Sequence, residues 1–254
     1  LSTFLKGSSF AALPLSTKDV DIPYFVQKKI GNHYLLLMAE GGSDYNHAVT
    51  ALTAKSLWGP YVPCTINPVL THRHLGKDYP VQSLGHADLV QTPTGDWYAV
   101  FLGKRIVEGG LVPLGRETFL CEVSFQNGEP IFNPGIGVIG NRLKRPLLPW
   151  TPVSKTDKQN DFESSALSPE WATMRIPEQP LHHFADGNLF LSLRPEMADS
   201  LVCPSMLLLR VHSHNFSATT TMSFSTRRAN EWAGLALYRT AKGYYSLLKG
   251  KNEI

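Results

Sequence analysis

The stretch GHADLVQTPTGDWYAVFLGKR, residues 85–105, reads as strand, tight turn and strand, with polar residues at its margins. A short Gly-rich gap follows, then PLGRET at 113–118. His86 and Asp88 are read as standing just before the first strand. Arg116, Glu117 and Thr118 follow a Pro-Leu-Gly turn. So many charged groups beside apolar strands mark a site rather than plain scaffold. Working outward, YLLLMAE (34–40) and AVTALTAK (48–55) form an earlier strand pair, split by Gly41-Gly42-Ser43-Asp44. The pattern returns in WYAVFLG (97–103) and TFLCEVSF (118–125), the latter closed by Gln126-Asn127-Gly128-Glu129, a favoured hairpin turn. Helical periodicity of useful length is absent. Repeated units of short antiparallel strands predict propeller blades. Two such units cannot close a ring, which needs at least about four, so further blades are expected on the N-terminal side.

The chain has 254 residues, room for one large domain or two ordinary ones. With 43% hydrophobic and 18% charged residues it has the composition of a folded globular protein. A formal charge of +3 and no basic run give no reason to expect nucleic acid as a partner. No apolar segment approaches about 18 residues, so no membrane partner is expected either. Cys64, Cys121 and Cys203 lie far apart, match no metal spacing and read as buried thiols. Asn215-Phe216-Ser217 is a glycosylation triplet of a kind common by chance. Composition shifts to Pro, Ser, Lys and Asp over 146–160, a boundary loop. Residues 1–150 are therefore expected to be a partial β-propeller and 151–254 a C-terminal β-sandwich, incomplete at its end. Strands of the second domain are predicted at 190–193, 206–211, 217–224 and 233–238. The chain opens without Met and stops just after a strand-like run, so both ends read as cut and no compartment is assigned.

Several chemistries drop out on motif grounds: there is no Gly-x-Ser-x-Gly elbow, phosphate-binding Gly loop or His-Glu-x-x-His. His72 with His74, and His212 with His214, would share a face if extended, but packing or surface histidines are the default. His182-His183 is weaker still. The cluster of His86, Asp88, Arg116 and Glu117 admits two readings. It is either a structural network in which Arg116 pairs a carboxylate between blades, or a sugar site. Sugar rings stack on aromatic faces while their hydroxyls need charged or amide partners, and Tyr24, Tyr45, Trp58 and Trp97 are available as platforms.

Taken together, GHADLV (85–90), WYAVFL (97–102), LGRET (114–118) and AEGGSDYNHA (39–48) resemble glycoside hydrolase family 43, in its β-xylosidase and α-L-arabinofuranosidase group. Asp161-Phe-Glu163, Pro169-Glu-Trp171 and Met174-Arg-Ile-Pro177 resemble the start of that group's C-terminal sandwich. The resemblance covers the chain from about Asp21 onward. It implies a five-bladed propeller with an axial sugar pocket, releasing terminal xylosyl or arabinofuranosyl residues from xylan or arabinoxylan by inversion. Inversion takes a general acid on the leaving oxygen and a general base on the attacking water. The family's base, and the aspartate that tunes its acid, have no match in these 254 residues, which implies an incomplete catalytic set. Its acid, a glutamate in a Glu-Gly/Ala-Pro-His motif, is matched by Asp21 in Asp21-Ile22-Pro23-Tyr24. Aspartate is one methylene shorter, so its reach for a proton is shorter too. Arg116 matches the family's substrate-reaching arginine, Ser43 a pocket threonine and His86 a histidine near the axis. In the family a cation often lies near that histidine, so a calcium ion is a candidate there and no cofactor is required. The alternative is a non-catalytic carbohydrate-binding or degenerate homologue.

Overall fold

The computed structural model describes residues 25–152, 159–163, 166–226 and 228–251. The chain divides into two units, 1–150 and 151–254. In the first, β1 (Phe25–Ile30), β2 (His33–Glu40), β3 (Ala48–Ala54) and β4 (Val62–Pro63) pair in chain order, and β5 (Leu70–Thr71) pairs the start of β3. A second sheet follows as β6 (Val81–Gln91), β7 (Trp97–Arg105), β8 (Glu117–Gln126) and β9 (Glu129–Phe132), again in chain order. Every ladder is antiparallel. The repeat expected from the strand pattern is thus present as two four-strand meanders. Asn127 (φ 54°) and Gly128 (φ 84°) make the β8–β9 turn with both central residues left-handed, as this hairpin type requires.

Alternation decides what each sheet buries. Leu35, Leu37, Val49 and Ala51 face one way from the first sheet. They join Leu84, Leu89, Ala99, Phe101, Cys121, Val123 and Phe132 of the second in one core. Leu36, Met38 and Leu52 face the other way and gather a smaller cluster with Tyr61. The second sheet's outer face is only half covered: Val90, Val100, Leu120 and Ile131 remain 36–48% exposed.

Among the polar ties between the sheets, two lie at Thr65 and His72. Glu129, at the β8–β9 turn, accepts from the Thr65 backbone N–H (2.9 Å) and hydroxyl (3.0 Å). His72, 1% exposed, donates from Nδ1 to the Val81 carbonyl (2.7 Å) and accepts the Ile139 N–H at Nε2 (3.0 Å). Carbonyls only accept and amide N–H groups only donate, so the His72 ring is neutral with its proton on Nδ1. Cys64 and Cys121 are buried, and burial pushes each thiol up to about 12, which leaves them as inert core residues.

His86 and Asp88 do not precede a strand: they lie inside β6, which begins at Val81. The register of β6 against β7 breaks between Gln82 and Gly85 and again between Gly85 and Asp88. Such bulges let polar side chains sit mid-strand, which masked the strand's early half.

In the second unit, β10 (Trp171–Ala172), β11 (His182–Ala185), β12 (Asn188–Leu191), β13 (Leu208–Leu209), β14 (Ala233–Thr240) and β15 (Gly243–Lys249) pair as β10–β13, β11–β12 and β14–β15. The strand expected at 217–224 is absent, and that at 206–211 shrinks to two residues. Ala218, Met222 and Phe224 of SATTTMSF share one face, but among the described residues no strand pairs with the segment and Met222 stays 38% exposed. Among the described residues, no helix is long and apolar enough to cross a membrane.

Phe101 (1% exposed) and Val100 (38%) are neighbours on β7 that face opposite ways. Phe101→Ala should cost about 3–5 kcal/mol in urea unfolding, and Val100→Ala under about 1 kcal/mol. Equal costs would show that the two faces of this sheet are buried alike.

Candidate functional site

The β2–β3 loop is shaped by Gly41 (φ 75°) and Gly42 (φ 69°). A Cβ on Gly41 would strike the Asn46 carbonyl, so the chain can reverse this tightly only with glycine there. The reversal leaves Ser43 and Asp44 exposed at the end of the first sheet. From the second sheet, the turn before β8 brings Arg116 to them: its Nη1 donates to Ser43 Oγ at 3.4 Å. Lys104, near the end of β7, pairs with Asp44 at 3.0 Å. The lysine's hydrogen bond and charge hold the Asp44 carboxyl below its ordinary range.

Behind this pair lies His47, 4% exposed, which donates from Nδ1 to the Ser83 carbonyl at 3.1 Å. Burial lowers its pKa. The hydrogen bond opposes that shift, and the neighbouring charges of His86, Arg116 and Lys104 add to it. Arg116 and half-buried His86 thus both lie within electrostatic reach of one imidazole. A Cβ on Gly85 would run into that ring, so β6 passes His47 at a distance only glycine permits.

Of the residues expected at the site, Arg116 and Ser43 meet at this loop, and His86 lies within electrostatic reach of His47 behind it. Asp21, the position of the acid, lies outside the described residues, as does Tyr24. Asp88 turns to Lys28 (3.2 Å). Glu117 is held by Arg105 through two bonds, Nε–Oε2 at 2.8 Å and Nη2–Oε1 at 2.6 Å, a fork-to-carboxylate pair that ties β7 to β8. Arg116 and Glu117 are thus adjacent in sequence and separate in role. Trp97 packs edge-on against Phe125 at 5.6 Å, a core contact. Trp58 is 69% exposed. Tyr45 is pinned beside Ser43 by its hydroxyl on the Arg73 carbonyl (2.6 Å), with Lys77 over its ring. His47, Asp44 and Lys104 had no predicted role, although all three stand in the motifs quoted above; their placing depends on which strands face each other. Among the described residues, no group of three or more His, Cys, Asp or Glu could hold a metal ion. A separate cavity of about 490 Å³ in the second unit, with Trp171, Arg175 and His182 in its wall, includes none of these residues.

Both neutral buried histidines make stability depend on pH. Burial lowers the pKa of His47 and of His72, so below about pH 6.5 the unfolded chain binds more protons than the folded one. Stability is full above that pH and lost as pH falls through it towards the folded values. Stability in urea should fall between about pH 7.5 and pH 5, with a slope of at most about 1.4 kcal/mol per pH unit for each histidine. His72→Gln should flatten that slope, and an unchanged slope would show that His72 titrates as an exposed imidazole.

Residues 17–130 match the model of Glycosyl hydrolases family 43, and residues 159–253 that of the beta xylosidase C-terminal Concanavalin A-like domain. A xylosidase/arabinosidase of Butyrivibrio fibrisolvens is 36% identical over 98% of this chain and 49% of its own length. The non-reducing end alpha-L-arabinofuranosidase BoGH43B of Bacteroides ovatus is 34% identical over 97% of this chain and 46% of its own. Among solved structures, the GH43B of the Bacteroides ovatus xyloglucan locus (PUL) superposes with a TM-score of 0.75 at 34% identity, over 89% of this chain and 45% of that one. The xylan beta-1,4-xylosidase of Bacillus halodurans C-125 gives a TM-score of 0.77 at 27% identity, over 90% and 44%. The chain spans about half the length of the relatives it matches. With sheets, loop motifs and both domain matches in agreement, the chain belongs to glycoside hydrolase family 43.

Proposed function

We propose that the protein hydrolyses terminal xylosyl or arabinofuranosyl residues of hemicellulose, with xylan or arabinoxylan as substrate, by an inverting acid/base mechanism. The observation that carries this reading is the meeting of Arg116 and Ser43 at 3.4 Å from loops of two different sheets. It places a guanidinium and a hydroxyl side by side with His86 near them, a donor set suited to a sugar's ring hydroxyls. The names of the relatives, a xylosidase/arabinosidase and an arabinofuranosidase, favour pentosides. Within that reading Arg116, Ser43 and His86 hold the sugar and steady charge as the glycosidic bond breaks. Asp21 takes the position of the acid, and the reacting carboxylates come from outside the described residues. We propose likewise that the two sheets are blades of a five-bladed ring. The half-covered apolar face carrying Val90, Val100, Leu120 and Ile131 supports this, since it suits another sheet packed upon it.

The second reading, carbohydrate binding without turnover, draws on aspartate at position 21 where the family has glutamate. Assays on aryl β-xylosides and α-arabinofuranosides with the whole protein decide between them. Turnover should be present, and Arg116→Ala should lower kcat/KM by roughly 2–4 kcal/mol of transition-state stabilisation, the scale of one lost charge-stabilising donor. Full activity in that variant would remove Arg116 from the site. Absence of turnover with pentose binding intact would favour the second reading.

A further inference from the structure

We infer that His47 is a positioning residue of the pocket, a neutral imidazole that clamps the irregular part of β6 and so sets where His86 stands relative to Arg116 and Ser43. The inference rests on the reading of those three as sugar-holding residues.

His47 is fixed from three directions. Its backbone N–H donates to the Asp44 carbonyl (2.9 Å), which closes the loop bearing Ser43. Its carbonyl accepts from the Thr71 hydroxyl (3.2 Å) at β5. Its ring crosses to the second sheet, where Nδ1 donates to Ser83. The segment it meets is unusual. Ser83 (φ 57°) and His86 (φ 58°) are both left-handed without being glycine, they flank Leu84-Gly85, and the ladder loses register twice around them. Such a backbone persists only where its surroundings hold it. The clamp from Nδ1 to the Ser83 carbonyl and the close passage of Gly85 over the ring are what the structure supplies there.

The tautomer follows from the partner. A carbonyl only accepts, so Nδ1 carries the hydrogen and the neutral ring keeps a lone pair on Nε2. The groups facing the ring are His86 from β6, Lys104 from β7 and Arg116 from the turn before β8, with Asp44 of its own loop committed to Lys104. A second proton would place a buried cation among cationic neighbours. His47 therefore stays neutral and leaves the positive charge of the pocket to Arg116.

Asparagine can present its amide nitrogen near the place of Nδ1 and keep the bond to Ser83. Leucine fills the space but leaves the Ser83 carbonyl without its donor. The test follows the imidazole ¹H–¹⁵N signals of the wild type, His47→Asn and His47→Leu across pH, and titrates each protein with D-xylose and L-arabinose. We expect His47 as the Nδ1–H tautomer, with no titration near its ordinary pKa of about 6.5. We expect the His86 ring signals to lie alike in wild type and His47→Asn but to be displaced in His47→Leu. Sugar affinity should fall about tenfold in His47→Leu alone, the scale of losing a supporting contact behind a site. The Nε2–H tautomer, ordinary titration of His47, or wild-type His86 behaviour and affinity in a folded His47→Leu would each overturn the inference. If His47→Leu does not fold, the tautomer and the match between wild type and His47→Asn decide it. If neither sugar binds the wild type while His86 responds as expected, the positioning role holds and the sugar reading fails.

Discussion

Everything in the first unit depends on two twisted sheets burying one face each against the other. Because strand side chains alternate, each residue that enters the shared core commits its neighbours to the opposite face. Phe101, Cys121 and Val123 go inward, and Val100 and Leu120 are left outside. That commitment fixes which strand ends lie together. The loop after β2 and the turn before β8 meet because the sheets do, so Ser43 reaches Arg116 across 73 positions of sequence. The candidate site is a by-product of sheet stacking, assembled at the rim where the core stops.

The polar groups at that rim divide into two kinds. Arg105 and Glu117 satisfy each other bidentately across β7 and β8 and fasten strand to strand. Arg116, one residue earlier, points to the loop of the other sheet. A charged tripeptide-scale cluster in sequence therefore resolves into a fastener and a contact group, and strand alternation is what separates them.

Much of this was legible in the chain. The apolar runs at 34–40 and 97–103 named their strands, and Asn127-Gly128 named its turn, because local backbone preference and burial agreed there. The resemblance named Arg116, Ser43 and His86, and the structure brings the first of these to the second at 3.4 Å. What stayed hidden depends on pairing between distant segments. The two-residue strands β4 and β5 are too short to show alternation. The early half of β6 is broken by bulges that leave Ser83 and His86 outside the ladder register, on either side of Gly85. His47 looked like one more residue of a loop motif, and only the approach of Gly85 shows what it supports. The expected strand at 217–224 failed for a different reason: alternation and β-favouring threonine do not make a strand where, among the described residues, no neighbouring strand pairs with it.

The ties between the sheets also bear on the order of assembly. Thr65 and Glu129 are separated by 64 positions, and His72 and Ile139 by 67. Each hairpin within a sheet closes over a short loop and forms fast; these bonds wait until an entire second meander exists. These two ties therefore close late: on a chain emerging from the ribosome, β6 meets the inner face of the first sheet first, and the bonds to Glu129 and Ile139 can form only after the β8–β9 hairpin has followed.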